Sequence, residues 1–229
     1  MNRDDQDEAP ARQGLRAWAG FPADRQPRPL VLLGSAARPR AFANAQQKLA
    51  FLNGAIEAVP GFPAPVLQAL RGQAREHAGP PLLVTAATLG QAEFATDRGR
   101  QQLPAWDVRA QDVPEPIWVL DPAVSQLAWT PPGQELADWR TSTAALSADG
   151  RTLTMSWFGS PRAYTDYPGA NVLEAGAAVA IVPVRRELST GLRTAHAERR
   201  EVTVVLERPL GRRVLLDAGG SPVMVSAGG

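Results

Sequence analysis

The C-terminal part of the chain shows the clearest hydrophobic pattern, an alternation of apolar and polar positions that is typical of half-buried β-strands. Leu153, Met155 and Trp157 alternate with threonine and serine, directly after the turn signal Asp149-Gly150. Similar patterns recur at Val179 and Ile181, at Val202 and Val204, and at 214–216. Short strands this close together predict a β-sandwich or barrel-like domain over 140–229.

The N-terminal half mixes a helical period with short apolar runs. A helix with one buried face is predicted by apolar residues that recur at spacings of three and four, namely Leu49, Leu52, Ile56 and Val59. Pro60-Gly61 is expected to end this helix, and Pro65 is expected to begin a second one. Apolar runs predict strands at 30–33, 82–85, 94–96, 106–108 and 117–120.

These patterns predict the class α+β, mainly β, with two small β-rich domains and one or two helices in the N-terminal one. The N-terminal domain is expected over 28–125, followed by a proline-containing linker over 126–139 and then the C-terminal domain. Residues 1–27 are rich in polar residues, alanine and proline. We therefore expect a loose leader, which Trp18 and Phe21 tie to the body of the protein.

Composition excludes several classes of site. The 229 residues carry a formal net charge of +1, which indicates no basic face for nucleic acid. The chain contains no cysteine, which excludes disulfides and thiolate metal sites. No apolar stretch approaches the length of a membrane span. The first ten residues are polar and acidic, so we expect a cytoplasmic location, with export as the alternative if an N-terminal signal is missing.

Motifs that would establish a catalytic class are not found in the sequence. The two histidines, His77 and His196, have no partner at the spacing of a zinc site. The Gly-x-Ser-x-Gly elbow of serine hydrolases and the glycine patterns of phosphate loops do not occur. Arg38 and Arg40 are candidates to bind an anion, although Pro39 between them disfavours a helix N-terminus there. No metal and no cofactor is expected.

Aromatic and arginine-rich segments supply the candidate contact residues. The tryptophans on predicted strands, Trp106, Trp118 and Trp157, are expected in the core. Aromatic residues in loops are candidates for ligand or partner contact, because such residues are enriched at binding hot spots. The alternative is that the linker tryptophans join the two domains. The candidate contact residues are Asp97, Arg98, Arg100, Trp129, Trp139, Tyr164 and Tyr167.

Two segments of the chain match motifs of a wider group. Residues 96–106 read Thr-Asp-Arg-Gly-Arg-Gln-Gln-Leu-Pro-Ala-Trp, and residues 149–213 run from Asp-Gly-Arg-Thr-Leu to Pro-Leu-Gly-Arg-Arg. The first resembles a "TDRG…LPAW" stretch of uncharacterised β-rich proteins from high-GC actinobacteria, and the second is similar to their C-terminal β domain. Many of those proteins are exported or lipid-anchored, and their C-terminal part often has a cysteine pair. The resemblance implies a β-rich fold and no particular activity.

The missing nucleophile, metal and phosphate motifs favour a non-catalytic binding or structural module over an enzyme. Its partner is expected to be another protein or a second copy of the chain, with no nucleic acid and no membrane span. Two alternatives stay open. One is a hydrolase that uses a carboxylate–arginine cleft, and the other is an inhibitor or assembly factor for a co-encoded partner.

Overall fold

The computed structural model describes residues 3–72, 74–132, 142–189 and 196–228. The chain divides into two compact units. Unit 1 consists of Met1–Leu33, Ala95–Gly99 and Trp129–Gly229, and unit 2 consists of Gly34–Phe94 and Arg100–Ala128. The described part is mainly β with several helices, which confirms the predicted class α+β, mainly β.

Helices and strands are interspersed along the described part of the chain. The helices are α1 (Arg3–Ala17), α2 (Ala45–Leu52), α3 (Ala64–Arg71) and α4 (Pro122–Ser125), with a 3-10 turn at Trp18–Gly20. The first strands are β1 (Ala37–Pro39), β2 (Ile56–Ala58), β3 (Leu82–Thr96), β4 (Gly99–Ala110) and β5 (Ile117–Leu120). The later strands are β6 (Thr143–Leu146), β7 (Thr152–Gly159), β8 (Thr165–Glu174), β9 (Ala178–Glu187), β10 (Glu198–Val205), β11 (Val214–Leu216) and β12 (Met224–Ala227).

A five-stranded sheet in the order β1-β5-β4-β3-β2 forms the frame of unit 2. β2 runs parallel to β3, whereas β5 pairs antiparallel with both β1 and β4. One face of the sheet packs against α2 and α3, and the shared core includes Val66, Leu70, Val84, Val108 and Val119. Side chains alternate between the faces of a strand. Trp118 and its register partner Arg38 therefore lie on the face opposite the helices.

The helix predicted through Val59 is shorter than expected, because α2 ends at Leu52 and Ile56 belongs to β2. Leu49 and Leu52, which were expected on the buried face, are 52% and 59% exposed. Gly54 follows with a φ of +64°, a left-handed conformation that commonly terminates helices. The prediction was wrong because it carried the helical spacing across this glycine.

Other sequence-based predictions for the N-terminal half are confirmed. The second helix is confirmed as α3, which has proline in its first turn and buries Val66 and Leu70. The strand at 117–120 is confirmed as β5. The runs at 82–85 and 94–96 belong to one long strand, β3, which pairs with β4.

Unit 1 contains two sheets that share one apolar core. The first sheet has the order β10-β7-β6-β12, and the second has the order β11-β9-β8. Leu153 and Met155 of the first sheet pack with Val179, Ile181 and Leu215 of the second. The strands predicted from alternation around these residues are confirmed as β7, β9, β10 and β11.

Residues 3–21 are not the loose leader that the composition suggested. They form α1 and the 3-10 turn, and Ala11, Trp18 and Phe21 are buried in a second core of unit 1. Trp18 and Phe21 do tie the segment down, as expected. The helical spacing of Ala11, Leu15 and Trp18 is hidden by the polar residues around it, which explains the error.

The unit boundaries differ from the predicted domain boundaries at 28–125 and 126–139. Residues 95–99 group with unit 1, since the Asp97 N–H donates to the Val31 carbonyl and the Val225 N–H donates to the Asp97 carbonyl. The strand predicted at 30–33 is reduced to isolated bridges at Leu30 and Leu32. Residues 133–139 of the predicted linker lie outside the described part.

Candidate functional site

Asp97, a predicted contact residue, lies at the turn between β3 and β4. Its side chain is 2% exposed and accepts hydrogen bonds from both terminal nitrogens of Arg28, one of them 3.1 Å long. The Arg28 guanidinium also lies over the Phe21 ring, 4.8 Å from its centroid. Bidentate pairs of this kind are among the strongest polar contacts in proteins. Because the carboxylate is buried and already paired, it anchors the turn and does not face a substrate cleft.

Arg98 is also committed to contacts inside unit 1. Its Nη2 donates to the carbonyls of Gly211 and Arg213 at 2.8 and 2.7 Å, and its Nε lies 3.6 Å from Asp97 Oδ2. Burial lowers the pKa of the Arg98 guanidinium, Asp97 opposes this effect, and Arg28 adds to it. The turn therefore supports the fold and supplies no free carboxylate to the hydrolase alternative.

The predicted aromatic contact residue Trp129 packs inside unit 1. Its ring centroid lies 4.9 Å from that of Trp18 and 5.2 Å from that of Phe21. Trp129 thus contributes to the second core of this unit. Trp139 lies outside the described residues.

Tyr167 belongs to a closed cluster of unit 1. Its ring lies 5.2 Å from the Trp157 ring, and the Arg200 guanidinium lies over it at 4.9 Å. Arg200 is 6% exposed, and neither its Nη1 nor the Thr165 hydroxyl has a hydrogen-bond partner among the described residues. Both atoms are shielded from solvent. The cluster therefore packs inside unit 1 and presents neither group to a ligand. Tyr164 is half-buried in the preceding turn.

An open groove lies on the sheet of unit 2, on the face opposite the helices. It has a volume of about 300 Å³. β1, β3, β4 and β5 place its polar and aromatic side chains, which belong to Arg38, Arg40, Gln91, Glu93, Gln102 and Trp118. Arg40 directly follows β1. We call this site the Arg38–Trp118 groove.

Trp118 gives the groove an apolar surface. From β5 its indole reaches over β4 towards Gly90 on β3, where a Cβ atom would lie 3.8 Å from Trp118 Cζ3. A side chain at position 90 would therefore begin in contact with the indole, and glycine leaves that part of the ring uncovered. The expectation that Trp118 belongs to the core was wrong, because the buried residues Ile117 and Val119 on either side direct it to the opposite face.

Two guanidinium groups stand in the groove with unused donors. Arg38 Nη1 donates to the Glu93 carbonyl at 2.5 Å, and the guanidinium lies 5.8 Å from the centroid of the Phe94 ring. Its other N–H groups have no acceptor among the described residues. Arg40 approaches Glu115 only to 3.8 Å, and the two side chains are 71% and 46% exposed. Exposed pairs of this kind contribute little, so both arginines are available to an anion.

Neutral and acidic acceptors complete the lining. The side-chain amides of Gln91 and Gln102 make no hydrogen bond within the described part of the chain. Glu93 Oε1 accepts a hydrogen bond from Arg100 Nη1 at 2.7 Å. Arg100, a predicted contact residue, thus lies beside the groove and holds one of its lining residues.

Known proteins offer no guide to the ligand. No protein family, no curated protein and no solved structure was found to match the chain. Across the described ranges, no three histidine, aspartate or glutamate side chains converge as metal ligands. In the same ranges no helix has the length and apolarity that crossing a membrane requires. The chemistry of the groove is therefore the basis for a functional argument.

Sequence reasoning found part of this groove. It named Arg38 and Arg40 as candidates for an anion, and it named Arg100 as a contact residue. It missed Gln91, Gln102 and Trp118. The one signal for Trp118 was its place between two apolar neighbours on a short strand, which favours an outward side chain when only one face is covered.

Proposed function

We propose that this protein is a non-catalytic binding protein that holds a small anionic ligand in the Arg38–Trp118 groove. The proposal is carried by one observation, two guanidinium groups with unused donors beside an accessible indole. Guanidinium groups suit carboxylate and phosphate oxygens, and an indole adds apolar contact area. The predicted protein partner and the predicted cytoplasmic location stay predictions beside this proposal.

The lining favours binding over conversion of the ligand. Among the described residues that line the groove, Glu93 is the one carboxylate, and serine, cysteine and histidine are missing. A glycosidase needs two carboxyl groups flanking the bond that it breaks. Glu93 has no such partner in the lining and is paired with Arg100. These features support the binding proposal over the hydrolase alternative.

A titration of the whole chain with small anions tests the proposal. We expect acetate, benzoate and phosphate to shift NMR signals of groove residues. Arg38→Gln should weaken that binding by about tenfold or more, because it removes a charge-assisted hydrogen bond. The signals to follow are those of Arg38, Gln91 and Trp118.

Arg109→Gln is the matched control for this titration. Arg109 lies on β4 of the same sheet, is exposed, and pairs with Asp107 at 2.9 Å without lining the groove. We expect this variant to bind anions as the wild type does. Equal binding by the Arg38→Gln variant and the wild type, or shifts confined to other regions, would refute the proposed function.

A further inference from the structure

We propose that the ligand of the Arg38–Trp118 groove is an acidic saccharide, a hydroxylated ring that carries a carboxylate. This inference rests on the proposed function, because it names the ligand class of the same groove. Three properties of the lining lead to it: its charge, its unused acceptors and its flat apolar surface.

The charge of the lining calls for a ligand with little negative charge. Arg38 and Arg40 attract a carboxylate, and their planar guanidinium groups can bind it in bidentate fashion. Glu93 accepts a hydrogen bond from Arg38 at its main-chain carbonyl and pairs with Arg100 through its side chain, and its carboxylate repels any second negative group that approaches. A ligand with one carboxylate can pair with one guanidinium and keep its charge away from Glu93. A polyphosphate spreads its negative charge over more oxygens, some of which would be repelled by the Glu93 carboxylate.

The acceptors of the lining call for a ligand that also donates hydrogen bonds. The side-chain carbonyls of Gln91 and Gln102 are unused, and so is Glu93 Oε2, among the described residues. An ionised carboxylate has no hydrogen to offer these oxygens. A hydroxyl group both donates and accepts, so it can bridge an amide or carboxylate on one side and a guanidinium on the other. A ligand with several hydroxyls satisfies all of these groups together.

The indole of Trp118 calls for a flat ligand face without polar groups. Glycine at position 90 leaves part of that indole uncovered. A sugar ring presents C–H groups on its face and hydroxyls at its rim, so it can stack on the indole while its rim meets the amides. The volume of about 300 Å³ lies at the lower end of small-molecule sites. This size suits a short saccharide or the exposed end of a longer one.

An amino acid is the nearest competitor, since it also combines a carboxylate with an apolar part. Its ammonium group, however, requires an anion in the groove. Glu93 is the one carboxylate of the lining, and because Arg100 already occupies its Oε1 at 2.7 Å, Oε2 is its one oxygen left for an ammonium group. The two glutamine amides are neutral and suit hydroxyls. The lining therefore fits the saccharide better.

Calorimetric titration of the whole chain tests the inference. The probes are short oligomers of glucuronate and of galacturonate, neutral oligomers of glucose and of galactose of the same length, inorganic phosphate, ATP and phenylalanine. We expect an acidic oligomer to bind at least about tenfold more tightly than its neutral counterpart and than the other probes. Arg38→Gln should remove the preference for the acidic oligomer.

A double variant, Gln91→Ala with Gln102→Ala, separates saccharide binding from anion binding. Both side chains are exposed, so the variant is expected to fold, whereas truncation of the half-buried Trp118 risks unfolding. The double variant should weaken binding of the acidic oligomer by about tenfold, since it loses several hydrogen bonds, and weaken phosphate binding by clearly less. Arg109→Gln again serves as the control.

The outcomes distinguish this inference from the proposed function. If phosphate binds as tightly as the acidic oligomers, or if the double variant binds them as the wild type does, the saccharide inference is overturned and the anion-binding function stands. Tightest binding of ATP or of phenylalanine overturns the inference in the same way. If no probe binds and the small anions leave the groove unshifted, both are overturned.

Discussion

Glu174 and Arg213 form an ion pair that unit 1 buries almost completely, with side chains that are 9% and 8% exposed. Arg213 Nη1 donates to Glu174 Oε2 at 2.5 Å, and Arg213 Nη2 donates to the carbonyls of Arg208 and Pro209. Burial alone raises the pKa of Glu174, but hydrogen bonds from Arg213 and from the Glu207 N–H outweigh it and lower the pKa. Arg213 thus helps to keep the Glu174 carboxylate charged.

Arg213→Ala should therefore destabilise the protein by about 1–3 kcal/mol at pH 7, because it removes a charge-assisted hydrogen bond and leaves the Glu174 carboxylate with backbone N–H groups as partners. Urea unfolding followed by circular dichroism measures this loss. Arg186→Ala is the control, since its pair with Asp166 is largely exposed, and its cost should stay within about 1 kcal/mol. Equal losses in the two variants would contradict the argument.

Arg213→Ala should also change how the free energy of unfolding depends on pH. The folded pKa of Glu174 lies below the unfolded value of about 4.3, so its stabilising contribution is complete above that pH and is lost as the pH falls through the folded pKa. In Arg213→Ala the Glu174 carboxylate lacks this hydrogen bond, so we expect its folded pKa to rise towards the unfolded value or above it. The difference in unfolding free energy between wild type and variant should thus narrow below about pH 4.

At the scale of elements, α1 depends on one close approach of two backbones. A Cβ atom on Gly14 would lie 2.4 Å from the Cα of Gly220, which sits in a turn with a φ of +79°. Neither backbone can move aside as a flexible side chain would. The packing of α1 on unit 1 therefore requires glycine at position 14.

Gly14→Ala should destabilise the protein by about 1–3 kcal/mol through overpacking, although alanine favours a helix over glycine by about 1 kcal/mol. Thermal unfolding measures the effect. Gly20→Ala is the matched control, because no atom lies within 4 Å of its Cβ position. A stabilised Gly14→Ala variant would show that the helix does not pack there and that propensity decides.

At the scale of the whole molecule, unit 1 draws on three separate parts of the chain. Trp18, Val31 and Val214 share a core, and the carbonyl of Asp97 accepts a hydrogen bond from the Val225 N–H. A fragment that begins at the predicted boundary of 140 lacks Trp18, Val31 and Asp97. Its β-sheets would leave apolar faces uncovered.

We therefore expect a fragment of residues 140–229 to be unfolded or molten on its own. Its ¹H–¹⁵N spectrum should be poorly dispersed, and it should bind hydrophobic dyes, whereas the whole chain should show dispersed signals. A dispersed spectrum of the fragment would instead support the predicted domain boundary.

The Arg38–Trp118 groove was predictable in part. Arg38 and Arg40 are recognisable in the sequence as closely spaced cations, independently of the fold. Gln91, Gln102 and Trp118 come together only because β3, β4 and β5 lie side by side in the sheet. Conversely, Asp97 and Arg98 looked like an exposed turn, and their pairing with Arg28 depends on residues far away in the chain.

The sequence by itself determined the strands of the C-terminal part, α3, the class α+β and the exclusion of thiol chemistry. These follow from local facts, the period of apolar residues and composition, which need no distant partner. Tertiary structure decided the attachment of α1, the burial of the turn at 95–99, and the face of the sheet on which Trp118 lies. Each of these depends on which distant surface covers a residue, and pairing between distant segments leaves little trace in a single sequence.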